Sequence, residues 1–152
     1  MDVDERKKKG MKGLKILLVF LGLFGLSGCL ATKSLSVITE NGEKVWFTMD
    51  VSEKDYSLRY QEDVLQIESD RGVELQGVLL SMEGFKEIVH RFEEEFELEE
   101  KMEPFAHRFY QDGNTSLFFF EVVPDSLGMV MSGEQGLLEA QEVFSRLKIS
   151  EE

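Results

Sequence analysis

Apolar residues in this chain recur at about every second position between Ser34 and Leu80, and at roughly every 3.6 positions from Met82 to about Glu97. Neither an all-helical nor an all-strand fold accommodates both patterns. In the helical stretch Phe85, Ile88, Val89, Phe92 and Phe96 fall on one face, while Glu87, Arg91, Glu94 and Glu95 lie away from it. That makes a one-sided helix, which needs an apolar surface to lie on.

The flanking segments supply that surface as strands. Ser34 to Asp50 contains two β-rich runs around Asn41-Gly42, a dipeptide that tolerates positive φ and so favours a tight hairpin. Tyr56 to Tyr60, Val64 to Glu68 and Val73 to Leu80 read as three more strands, the last two joined by Asp70-Arg71-Gly72. A further hairpin turns at Asp112-Gly113-Asn114, and Leu117 to Val123 is apolar enough for a central strand covered on both faces. Pro124 ends it. Beyond a short Gly128 to Met131 segment, Ser132 and Gln135 have the spacing of a capping box, and Leu137, Ala140, Gln141, Phe144 and Leu147 trace a second amphipathic face to Ile149. These elements predict an α+β fold, in which an antiparallel sheet of hairpins packs against two amphipathic helices. With 152 residues, 42% of them hydrophobic, the chain suffices for one such domain, expected over residues 35–150.

Tyr56-Ser57-Leu58-Arg59-Tyr60, followed by Val64-Leu65-Gln66-Ile67, stands where the PsbP-like proteins have an apolar "YSIxYP" opening. In that local motif and in its order of hairpins and helices the chain resembles the PsbP-like fold. It departs from the motif at Gln61, where proline is usual, and no tryptophan follows. The resemblance implies an accessory or binding protein, since the family has no common catalytic activity.

The first 28 residues have a different character. Lys12 and Lys15 precede or open an apolar run from Leu14 to Leu30, too short to cross a bilayer comfortably but of the right length for a signal h-region. Met11 could serve as the start without loss of the cationic n-region. The run ends in Leu26-Ser27-Gly28-Cys29, which resembles the lipobox of bacterial lipoproteins. The resemblance implies diacylglycerol on the Cys29 sulfur, peptidase recognition through Leu26, Ser27 and Gly28, cleavage after Gly28, and a lipid-anchored domain on the extracytoplasmic side of the cell membrane. Small residues let a peptidase approach the extended backbone, and a thiolate is the nucleophile that acyl transfer requires. Cys29 is the only cysteine, so the mature domain must be stabilised by packing alone. A tether over residues 29–34 would place that domain close to the bilayer.

Six cations and three anions precede Cys29, which leaves eleven of the 17 cations and 27 of the 30 anions for the remainder, a net of −16. Such a surface repels phosphate backbones, so nucleic acid is not an expected partner. The membrane, through the anchor, and a protein at the cell envelope are. No catalytic motif is present, and no cofactor or metal ligand set is expected. His90 on the helix flank and His107 in a strand are too far apart in sequence to suggest a shared metal. Glu93, Glu94, Glu95, Glu97, Glu99, Glu100 and Glu103 crowd the C-terminal end of the first helix, where the helix dipole disfavours anions. Either calcium offsets them, or a solvated, loosely wound last turn does. Trp46-Phe47 and Phe118-Phe119-Phe120 read either as core or as an exposed platform, with Trp46 and Phe47 the expected centre of any partner docking. The leading expectation is a non-enzymatic, lipid-anchored binding or accessory protein. A cell-envelope enzyme or subunit acting through carboxylates, and a calcium-dependent structural or adhesion protein, are the alternatives.

Overall fold

A computed structural model describes residues 31–152. It is mixed α and β: ten strands in two antiparallel sheets, with two helices. In chain order the elements are β1 (Thr32–Ile38), β2 (Lys44–Asp50), β3 (Ser57–Gln61), β4 (Val64–Ser69), β5 (Gly72–Ser81), α1 (Met82–Glu95), β6 (Glu99–Lys101), β7 (His107–Asp112), β8 (Thr115–Val123), β9 (Leu127–Gly133), α2 (Leu137–Ser145) and β10 (Leu147–Glu151). The smaller sheet has the order β1-β2-β10 and the larger one β3-β4-β5-β9-β8-β7-β6.

The Asn41-Gly42 hairpin forms as its sequence requires. Gly42 sits at φ +80°, where a side chain would be strained, and its N–H donates to the Thr39 carbonyl at 2.9 Å. Along β2 the alternation is complete, with Val45, Phe47 and Met49 inward and Trp46 and Thr48 on the other face. The β3–β4 turn is made without glycine: Glu62 and Asp63 both adopt positive φ, at 53° and 62°. Asp63 repays that conformation by accepting the Tyr60 hydroxyl at 3.0 Å. Burial and the Asp63 carboxylate together push the Tyr60 phenol up to about 12.

The seven-stranded sheet separates two apolar layers. Against one face α1 packs Phe85 and Val89 onto Phe119. On the other face Phe118, Phe120, Leu75 and Met131 join Phe47 and Met49 of the small sheet and Val143 and Phe144 of α2 in a larger core. Ser81 caps α1, its hydroxyl accepting the Gly84 N–H at 3.2 Å. Gly128 lets α1 come close, because a Cβ there would lie 2.2 Å from the Phe85 ring.

Several expectations need correction. The sheet is two sheets, and the Gly128 to Met131 segment belongs to a seven-residue strand pairing with both β5 and β8. No Ser132–Gln135 capping box forms: Ser132 lies in β9, the N-cap is Gly136 without a side-chain cap, and the Gln135 amide donates to Glu74 instead. The second helix stops at Ser145, not Ile149, and Leu147 onward becomes β10, paired with β2. β1 starts at Thr32, which it pairs with Asp50. The C-terminal end of α1 is held by Phe92, Phe96 and Tyr110, whose rings lie 4.8–5.8 Å apart. Arg108, reaching over from β7, pairs with Glu93 and supplies a cation that the last turn itself lacks.

Candidate functional site

A groove of about 860 Å³ opens between α1, the start of β7, the C-terminal half of β8 and the end of β10. Strand lengths explain it. β7 covers β8 only as far as the Arg108–Phe119 pair, so Phe120 to Val123 are flanked by β9 alone. At the same end of β8 the ladder shifts register between Glu121 and Val123, a bulge that turns Val122 and Val123 both inward. The volume suits a small ligand or an extended segment of chain.

Phe85, Val89, Met102, Phe105, Val122 and Ile149 give the groove apolar walls, and Met102 is 73% exposed. Its charges do not balance once internal pairs are set aside. Arg108 is paired with Glu93 and Lys101 with Glu99, the latter at 3.1 Å. Glu100, Glu121 and Glu151 have no ion-pair partner among the described residues, against one such cation, Lys86. The rim is therefore mildly anionic.

His107 forms part of the inner wall and is buried. Its Nδ1 donates to the Phe105 carbonyl at 2.8 Å, and its ring lies 4.6 Å from that of Phe144. Burial pulls its pKa below the ordinary histidine value; the Phe105 carbonyl opposes that and Lys101 adds to it. His90 is on the opposite rim, exposed, 3.4 Å from Glu94. The two histidines do not converge.

A second polar cluster surrounds Glu74, whose side chain is wholly buried. The cause is a bulge. β4 pairs Ile67 with Leu75 but Glu68 with Val73, so Glu74 is the extra residue and turns inward beside Leu75. Its carboxylate accepts from Ser69 at 2.5 Å, from Arg71 at 3.2 Å and from Gln135, with Lys54 at 3.5 Å. These bonds tie β4, β5 and the approach to α2 together, which is a structural task. Period-two alternation would have placed Glu74 in solvent. Nothing in the local sequence marks the bulge.

The sequence-predicted docking pair is split by the strand. Phe47 is fully buried in the core and takes no part in any surface, which corrects the expectation for that residue. Trp46 is half-buried on the outer face of the small sheet, with the Lys44 ammonium 4.8 Å from its ring. The neighbouring Glu152 carboxyl is held below its usual range mainly by its hydrogen bond to Lys44. Phe118, Phe119 and Phe120 are all core. The acidic residues after Glu93 are strung along α1, its exit and β6. Among the described residues no three Asp, Glu, His or Cys side chains gather as a metal ion would require. Leu26, Ser27, Gly28 and Cys29 lie outside the described residues.

No protein-family model, curated protein or solved structure matches the chain.

Proposed function

We propose that the protein is a lipid-anchored, extracytoplasmic binding protein of the cell envelope, without catalytic activity, and that the groove beside α1 is its binding site. The observation that carries the reading is Leu26-Ser27-Gly28-Cys29 at the end of an apolar run that follows lysines. An acyl-bearing Cys29 would stand three positions before Thr32, within about 10 Å of β1 at full extension. The domain would then stand close to the bilayer. Two acyl chains suffice for firm attachment, where one would hold marginally.

Binding is favoured over catalysis by the make-up of the groove: apolar walls and a mildly anionic rim. The likeness to the PsbP-like fold belongs to the same proposal. It rests on the order of hairpin, short strands, helix, hairpin and α2.

The test is the fate of Cys29→Ala in intact cells. The parent should yield an acylated N-terminal peptide beginning at Cys29 and partition into detergent, whereas the variant should lose both acylation and cleavage after Gly28. Unchanged processing and partitioning of Cys29→Ala would refute the anchor.

A further inference from the structure

Resting on that reading of the groove as a binding site, we propose that its ligand is a small neutral phenol, whose hydroxyl donates to His107 Nε2 while its ring lies against Phe105 and Phe120. The register of the large sheet puts His107 in place for this. β7 and β8 pair only as far as Arg108–Phe119, so His107, one residue earlier, has Lys101 of β6 on one side and the uncovered end of β8 on the other. Alternation gives it the same face as Phe109, toward the larger core, where the Phe144 and Phe105 rings lie 4.6 and 6.2 Å from its own.

The imidazole keeps one polar atom unspent. A carbonyl can only accept, so Nδ1 carries the hydrogen that reaches the Phe105 carbonyl, and burial leaves the ring uncharged at neutral pH. Nε2 is then a lone-pair acceptor, and it has no hydrogen-bond partner among the described residues. His107 is only 7% exposed, yet Nε2 is not one of the fully enclosed orphaned atoms, which are Gln135 Oε1 and Arg146 Nε. It therefore meets the open space of the groove that His107 lines. Such an acceptor discriminates, because a ligand without a donor leaves it unpaired.

The surroundings select among donors. An anion has no hydrogen to give and would face Glu100, Glu121 and Glu151, which lack ion-pair partners among the described residues. A cation would lie in the field of the Lys101 ammonium, which already opposes a proton on His107, and would lose its hydration against phenylalanine rings. A neutral hydroxyl incurs neither cost. A phenolic one is a stronger donor than an aliphatic one, and stays protonated up to about pH 10. Its ring suits the walls: Phe105 and Phe120 meet edge to face at 5.1 Å, and Met102 and Ile149 extend the apolar surface.

Three probes of matched shape separate the hydroxyl from the ring: para-ethylphenol, para-ethylanisole, which keeps the oxygen but loses the donor, and ethylbenzene. Each is dialysed to a known free concentration against the whole protein in lipid nanodiscs, with only the histidines isotopically labelled at nitrogen. The chain has two histidines, and exposed His90 on the far rim is the internal control. Para-ethylphenol should bind with a Kd below roughly 1 mM, at least about tenfold tighter than either analogue. It should also move the His107 Nε2 resonance upfield and leave His90 unmoved. His107→Phe, which retains a ring of similar size, should abolish the preference for the phenol; if that variant fails to fold, the Nε2 shift in the parent still decides. Equal affinity for the phenol and the anisole overturns the inference and leaves the groove a binding site. Binding with the His107 resonance unmoved overturns it as well, and so does absence of phenol binding at roughly 1 mM. The anchor is read separately, from the processing of Cys29→Ala, so its failure leaves this result standing.

Discussion

Phe118 and Phe119 are neighbours in sequence, equally buried, and belong to different parts of the molecule. Phe118 faces the small sheet and α2: its ring stacks on Phe144 at 4.1 Å and 12°, within a core that draws on both sheets. Phe119 faces α1, where Phe85, Val89 and the Phe92 ring at 5.2 Å complete a much smaller layer. One face of the large sheet thus joins most of the fold together, and the other fastens a single helix. The groove lies where those two layers meet at the uncovered end of β8.

Substitutions can separate the layers. Phe118→Ala should cost about 3–5 kcal/mol and lower the denaturation midpoint measured by any probe, because it opens the shared core. Phe119→Ala should sit at the low end of that range, about 3 kcal/mol, with the amides of α1 losing exchange protection before those of β4 and β5. Equal and uniform losses in the two variants would mean a single cooperative core. Gly128→Ala drives a methyl group into the Phe85 ring and should cost about 1–3 kcal/mol, much of it recovered when Phe85→Ala is added. No recovery in that double-mutant cycle would put the strain elsewhere. Ser81→Ala removes the N-cap of α1 and should cost about 1 kcal/mol by chemical denaturation, leaving the Phe118 side undisturbed.

Acid acts on the other side. His107 has a folded-state pKa below its unfolded one, so the unfolded chain takes up the proton first. Its contribution is complete above about pH 6.5, the ordinary histidine value, and is lost as pH falls from there toward the folded value. His107→Gln should flatten that part of the stability profile, as followed by thermal melts. If the slope is unchanged, another group carries it.

How much of this was legible depended on whether the signal was local. α1 was plain from its 3.6-residue spacing, and the Asn41-Gly42 and Asp112-Gly113-Asn114 hairpins from turn chemistry. The α+β class followed. Leu147 was misread because it satisfies two patterns at once, three residues after Phe144 on a helix and two before Ile149 on a strand; pairing with β2, about a hundred residues earlier, decides between them. Glu74 was invisible for a related reason, since a bulge is a relation between two strands and leaves no local trace. The groove depends on β7 being shorter than β8 and on β10 lying nearby, neither of which periodicity reveals. Trp46 and Phe47 show the limit most simply: adjacency in a strand puts them on opposite faces, and a core on one side takes Phe47 away.

The position of β10 also sets an order of events during synthesis. Its partner β2 can close a hairpin with β1 as soon as both have emerged, yet the third member of that sheet follows about a hundred residues later. Until then β2 offers a bare margin with Phe47 and Met49 underneath, inviting premature association. A nascent chain would carry that exposed margin through the synthesis of both helices and the whole large sheet, and five residues of β10 close it.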